Sequence, residues 1–175
     1  VVLDVGTGSA DIAVRARVVL AWAGKSARVI GVGFAESEVK AARQRIQDAV
    51  VGDARGLPVR PGSADIVTCS QLLHHFETAD ALKSVLAELH RVSRGWVIVS
   101  DLQRSWLAAA GFWIASVALR FHPVTRHDGV VSVLRGFTPS ELADLVRDAT
   151  GVTPTVRQGM FWRVSATWRV RPDAA

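Results

Sequence analysis

The chain is poor in cysteine: Cys69 is the only one among 175 residues. A single thiol closes no intrachain disulfide and builds no cysteine-based zinc site, so a reducing, cytoplasmic compartment is expected. Cys69 lies inside an apolar run and reads as an inert core residue. Long apolar runs are lacking too. The greasiest stretch, Arg104–Phe121, falls short of the roughly twenty apolar residues that a membrane span needs. No charged leader is seen, so no secretory signal is read. The chain opens without Met, as an excised or ordered part of a longer protein would. Basic residues outnumber acidic ones, 21 to 16, but they form no run and no stripe interleaved with aromatics. No nucleic-acid partner is expected. Internal repeats and low-complexity stretches are also absent.

What is present is a 49% apolar composition, enough for one domain over residues 1–175 with a real core. Its most informative stretch comes first. Val1–Val5 is too short and too β-branched for a helix, and it reads as a buried parallel strand. Gly6 and Gly8 then let the backbone turn sharply and let a ligand approach where a Cβ would clash. Ser9 or Asp11 is expected to cap the helix that follows. The third glycine of a dinucleotide fingerprint is missing, since Asp11 stands in its place, and no P-loop lysine follows. Nicotinamide-dependent chemistry is therefore disfavoured.

Strands and helical patterns then alternate. Ile12–Trp22 has helical spacing, Ala27–Val32 reads as a strand, and Glu36–Gln47 as a helix opened by two glutamates. Ala49–Gly52 is a short strand with Asp53 at its end. Leu57–Ser63 is a Pro/Gly loop, Ala64–Ser70 a strand, Ala79–Val92 a helix and Trp96–Ser100 a fifth strand. Such alternation marks βαβ units, a parallel sheet and helices on both faces. The turns after these strands converge on one sheet edge, where open α/β sheets bind ligands.

Beyond Asp101, Arg104–Phe121 is apolar nearly all round. A buried helix is the first expectation, with Trp106, Phe112 and Trp113 in the core. An interfacial or substrate-covering helix is the second. His122-Pro123 ends it, and Val124–Gly136 reads as a loop carrying Arg126, His127 and Asp128. Thr138-Pro139-Ser140-Glu141 reads as a capping box that opens a helix running to about Thr150 and Gly151. Thr153–Gln158 and Met160–Val170 read as strands joined at Gly159.

Five stretches in this order resemble class I S-adenosylmethionine-dependent methyltransferases. The likeness is greatest to the small-molecule branch that includes ubiquinone and menaquinone C-methyltransferases. They are Leu3–Gly8, Val29–Phe34, Gly52–Ala54 with Leu57-Pro58, Ala64–Ser70 with Leu73–Phe76, and Glu88–Val92. The resemblance implies an α/β, Rossmann-like, seven-stranded and mostly parallel sheet. Its order would be 3-2-1-4-5-7-6, with the last strand antiparallel. It implies S-adenosylmethionine as cofactor and S-adenosylhomocysteine as product. Asp4, Gly6, Thr7 and Gly8 would surround the amino acid part, and Asp53 and Ala54 the adenine. Ser70, Gln71 and His75 would stand near the methionine end. Gly33 would lie at the ribose position, and Phe34 after it would also belong to the cofactor site. Residues 102–137 would form an insertion covering the substrate. The reaction would move a methyl group to oxygen, carbon or nitrogen of a small, largely apolar or aromatic acceptor. His75, His74 and His127 are the candidate bases. No metal is expected, because His122, His127 and Asp128 fall short of a facial triad.

Two departures stand out. The family usually ends its second strand in Asp or Glu, which holds both ribose hydroxyls; here Gly33 has no side chain, and Glu36 or Glu38 would have to substitute. The family also has helices before the first strand that form a lid, and the chain is expected to lack them. Both departures leave open an alternative, a catalytically weak or inactive methyltransferase-like binding protein. That alternative predicts self-association, such as a homodimer, through the apolar 106–121 helix.

Overall fold

Short β-branched runs do become strands of one sheet. The computed structural model describes residues 1–170; the last five residues of the expected 1–175 domain lie outside the described part. β1 (Val2–Val5) is buried at every position. It pairs in parallel with β2 (Val29–Gly33) and with β4 (Ala64–Ser70). β3 (Asp48–Val51) lies outside β2, and β5 (Ser93–Leu102) lies beyond β4, both parallel. β7 (Arg163–Arg169) runs antiparallel to β5, and β6 (Thr155–Gly159) antiparallel to β7. The order is β3-β2-β1-β4-β5-β7-β6, as the resemblance implied.

Strand alternation divides the core between two faces. Val2, Val29 and Ala49 pack with Ala13 of α1 (Asp11–Trp22) and with Val39 and Ala42 of α2 (Glu36–Ala42). Leu3, Val5, Val97, Val99 and Val164 pack on the other face. There they meet Leu82, Val85, Leu86 and Leu89 of α3 (Ala79–Val92) and Leu142 and Val146 of α6 (Pro139–Thr150). Each such fully buried Leu or Val contributes about 1.5–3 kcal/mol of hydrophobic stabilisation. Cys69 is wholly buried in this second layer, and burial pushes its thiol well above the ordinary value. The capping box of α6 forms as expected: Glu141 N–H donates to Thr138 Oγ1 at 3.2 Å and Thr138 N–H to Glu141 Oε2 at 2.9 Å. Gly151 closes that helix at φ +71°.

Several local expectations are corrected. Neither Ser9 nor Asp11 caps α1. Ala10 occupies that position at φ +64° without a side-chain cap, while Ser9 Oγ donates to Asp11. Of the apolar α1 residues, Ile12, Val18, Val19 and Trp22 are exposed, because no described element covers that side. α2 stops at Ala42, since residues 43–47 turn tightly into β3. The expected loop 124–136 is a helix, α5 (Pro123–Leu134). Pro123 starts it, Val124 N–H donates to the His122 ring, and α4 (Trp106–Ala118) lies alongside. Trp106 and Trp113 are 72% and 53% exposed rather than core. Phe112 is half-buried, edge-on to Phe121 and tight against Gly129. The last hairpin turns at Met160–Trp162 rather than at Gly159. No helix among the described residues is long and apolar enough to cross a membrane.

Candidate active site

The ends of four adjacent strands meet at one cleft of about 590 Å³. β1 brings Val5, Gly6 and Gly8; β2 brings Val32 and Phe34. β3 leads to Gly52, Asp53, Ala54 and Arg55, and β4 to Gln71, Leu72, His75 and Phe76. Glu38 of α2 completes the wall. Residues far apart in sequence therefore meet because parallel strands all end on the same edge.

The Gly6–Gly8 turn is built for close approach. Gly6 sits at φ +74° and Gly8 at φ +46°, a region that L side chains rarely adopt. A Cβ at Gly8 would meet nothing within 4 Å, so the turn is open on its cleft side. Gln71, across the cleft, also has a left-handed backbone, φ +54°, and its N–H donates to Ser100 O at 2.8 Å. Such strain in a residue other than glycine concentrates at functional sites.

At the β3 end, Arg55 grips Asp53. Its Nη2 donates at 2.7 Å and its backbone N–H at 2.9 Å, which holds the carboxyl below its ordinary value. The loop behind is pinned by α3: Leu57 N–H donates to Glu88 Oε2, and Arg91 donates to the carbonyls of Val59 and Leu57. This explains the Leu57-Pro58 and Glu88–Val92 stretches, which clamp a loop rather than touch the cleft.

At the β4 end, Leu73–His75 forms one 3₁₀ turn. Asp101, fully buried at the end of β5, orders that turn. Its carboxylate accepts from Leu73 N–H at 2.9 Å and Leu102 N–H at 2.7 Å, and lies 2.7 Å from His74 Nδ1. The His74 and His75 rings are 4.2 Å apart. His75 faces the cleft. Burial first, and then the neighbouring His74, hold it below the ordinary histidine value, against smaller opposing effects of Asp101 and Glu38. Both effects favour the neutral imidazole, the form able to take a proton.

Gly6, Gly8, Phe34, Asp53, Ala54, Gln71 and His75 thus line one cleft. Asp4, Thr7, Gly33 and Ser70 do not line it. Asp4 is buried below the turn, where it accepts hydroxyls from Thr7 at 2.9 Å and Thr68 at 2.6 Å. Desolvation raises its carboxyl above the ordinary value despite those bonds. His74 is buried behind His75, and His127 is exposed on α5. Asp101, Arg55 and Glu38 are the groups that sequence reasoning left without a firm role. Asp101 was signalled only by its place at a strand end. Among the described residues no group of three or more His, Cys, Asp or Glu could hold a metal ion.

The sequence pattern of the methyltransferase domain family matches residues 3–99. The chain belongs to that family. It is 33% identical to the ubiquinone biosynthesis O-methyltransferase of Bordetella bronchiseptica over 166 residues, 91% of this chain and 64% of that protein. The like-named protein of Thiobacillus denitrificans is 30% identical, over 98% of this chain and 73% of its own length. The chain thus spans about two thirds of the curated relatives it matches. A solved methyltransferase from Thermotoga maritima superposes with a TM-score of 0.70 at 19% identity, covering 97% of this chain and 82% of its own. Magnesium protoporphyrin IX methyltransferase from Synechocystis, solved with bound SAH, superposes at 0.64 and 18% identity, over 98% and 74%. At these identities the structures establish the fold.

Proposed function

We propose that the chain is an S-adenosylmethionine-dependent methyltransferase acting on a hydroxyl oxygen of a small, apolar aromatic molecule. The observation that carries the reading is that one cleft is lined by the glycine turn, with the Asp53 carboxylate at the β3 end and His75 at the β4 end. The residues fit that cofactor: a hydrogen-bond acceptor for an adenine amino group, an exposed Phe34 ring for a flat base, and an open turn for backbone approach. Bound there, the cofactor supplies a sulfonium-activated methyl group and departs as S-adenosylhomocysteine.

The chain's own residues then have two tasks. One is alignment, since the acceptor oxygen must lie in line with the methyl carbon and sulfur. Gln71 and Phe76, at the same end as His75, stand where that oxygen would be held. The other is the proton. A phenolic hydroxyl sheds one as it gains a methyl group, and neutral His75 accepts it. His74, held by Asp101, fixes the turn that presents His75. Oxygen is preferred over carbon or nitrogen because the curated relatives are named O-methyltransferases. Residues 102–137, with exposed Trp106, Leu107 and Trp113, would cover a greasy acceptor.

The test is to incubate the full chain with S-adenosylmethionine and a panel of hydroxylated, amino-substituted and unsubstituted aromatics. Products heavier by one methyl from the hydroxylated members alone support the reading. Binding of S-adenosylhomocysteine without any product defeats the catalytic part.

A further inference from the structure

The cleft has a carboxylate in an unexpected place. Position 33, at the end of β2, is glycine and offers no group at all. Yet Glu38, in the first turn of α2, reaches back over it. Its Oε2 lies 3.5 Å from where a Cβ on Gly33 would stand, and its own Cβ lies 3.7 Å from the same point. The helix delivers a carboxylate into the space that a strand-end acid would fill.

Three further observations give that carboxylate a ligand-facing role. Glu38 lines the cleft, and only one other cleft residue, Asp53, is acidic. Asp53 is already gripped by Arg55, whereas no described residue makes a hydrogen bond or ion pair with Glu38. Strand order places it. β2 lies between β3, which carries the Asp53 end, and β1 and β4, which carry the glycine turn and His75. A ligand laid along these strand ends has its middle over β2. In an adenosyl amino acid the middle is a ribose, whose two adjacent hydroxyls donate side by side. A carboxylate accepts such a pair with both oxygens.

We propose that Glu38 is the ribose-binding acid of this chain, supplied from α2 in place of the missing side chain at Gly33. The space at Gly33 is what lets it in. A Cβ there would crowd Val39 Cγ2 at 3.2 Å and stand against the Glu38 carboxylate. The glycine and the glutamate are then one solution in two residues. The proposal rests on the reading of the cleft as the cofactor site.

Calorimetry on the full chain tests it with two ligands, S-adenosylhomocysteine and its analogue lacking both ribose hydroxyls. Glu38→Gln weakens S-adenosylhomocysteine by about 10- to 100-fold, the loss expected for charge-assisted hydrogen bonds. The same substitution leaves the dideoxy analogue unchanged. Gly33→Asp alone fails to tighten binding, because two carboxylates then crowd one site. In the Glu38→Gln background, Gly33→Asp recovers affinity. Tighter binding by Gly33→Asp alone would show the ribose position to be vacant and overturn the proposal. So would equal losses for both ligands in Glu38→Gln, or no loss for either. If the unaltered chain binds neither ligand, the reading of the cleft itself fails. Glu38 is exposed, so thermal melts of the variants matching the unaltered chain separate lost contacts from lost folding.

Discussion

Helices α3 and α4 are nearly equal in length, 14 and 13 residues, and end differently. α3 buries Leu82, Val85, Leu86, Leu89 and Val92 against the sheet. α4 is the more apolar sequence, yet it buries only Ala108, Ala109 and Ser116 and packs chiefly on α5. Polar residues make the difference. In α3 they occupy one side and leave one apolar stripe to seek the core. In α4 apolar residues surround the axis, so nothing in the sequence selects a buried face. Apolar content alone does not place a helix. A helix with large side chains turned to solvent serves a surface, while one with the same side chains turned inward serves the fold.

The two regions differ most in the chemistry they carry. If the sheet-bound region holds the reacting groups, His75→Ala lowers kcat by about 10²- to 10⁴-fold, the usual worth of a general base. His127→Ala, on the exposed hairpin, leaves kcat nearly unchanged. The pH profile of the unaltered chain carries the same information. His75 lies below the ordinary histidine value, so kcat falls on the acidic side as the imidazole gains its proton. The midpoint of that limb lies below the ordinary histidine value, and His75→Ala abolishes the limb. A midpoint above that value, or a large effect at His127, would move the chemistry to the hairpin.

Stability gives the next contrast. Leu86→Ala, at a fully buried site in α3, costs about 2–5 kcal/mol through lost transfer energy and a cavity. Leu107→Ala in α4, 58% exposed, stays within about 0.5 kcal/mol. Urea unfolding of the two variants reads both. A loss at Leu107 equal to that at Leu86 would mean that α4 is covered in solution.

The same contrast explains what was legible in the sequence. Val1–Val5, the Gly6–Gly8 turn, Ala64–Ser70 and Ala79–Val92 were read nearly to the residue, because each is amphipathic or bounded by turn chemistry. Sheet order followed from the family resemblance. Residues 124–136 look like a loop in the sequence, since the partner that stabilises α5 is another helix and leaves no periodic signature in the segment itself. Trp106 and Trp113 were misplaced in the core for the same reason. In the cleft, strand-end residues such as Asp53 and Gln71 were legible from topology. Glu38 was legible only as a possibility, and Asp101 only as a strand end, because the side chain of each reaches its place from a neighbouring element.

Gly129→Ala strains the α4–α5 pair from inside. An added Cβ would stand 2.2 Å from the Phe112 ring, so α4 and α5 must separate. Overpacking of this kind costs about 1–3 kcal/mol. Because α4 and α5 rest mainly on each other, the cost appears as faster hydrogen exchange over residues 106–134. Affinity for S-adenosylhomocysteine changes little. Equal loss of affinity would show that the hairpin and the cleft open as one unit.

The smallest expected effect is a gain. Phe161 and Trp162, in the turn of the last hairpin, hold φ of +57° and +52°. Left-handed backbone costs an L residue with a Cβ about 1–2 kcal/mol, and Asn and Gly bear it best. Phe161 is 79% and Trp162 50% exposed, so little packing repays the strain. Phe161→Asn with Trp162→Gly should therefore stabilise the chain by about 1 kcal/mol, seen as a higher melting temperature. The Gln103 N–H bond to Trp162 O, 2.8 Å, survives because it uses only backbone. That bond also places the turn beside the end of β5, close to where α4 begins. If those aromatics meet the acceptor, the variant gains stability while its KM for an aromatic acceptor rises and its affinity for S-adenosylhomocysteine stays fixed. A gain in stability with no change in KM would leave the strained turn outside the acceptor surface and confine that surface to α4 and α5.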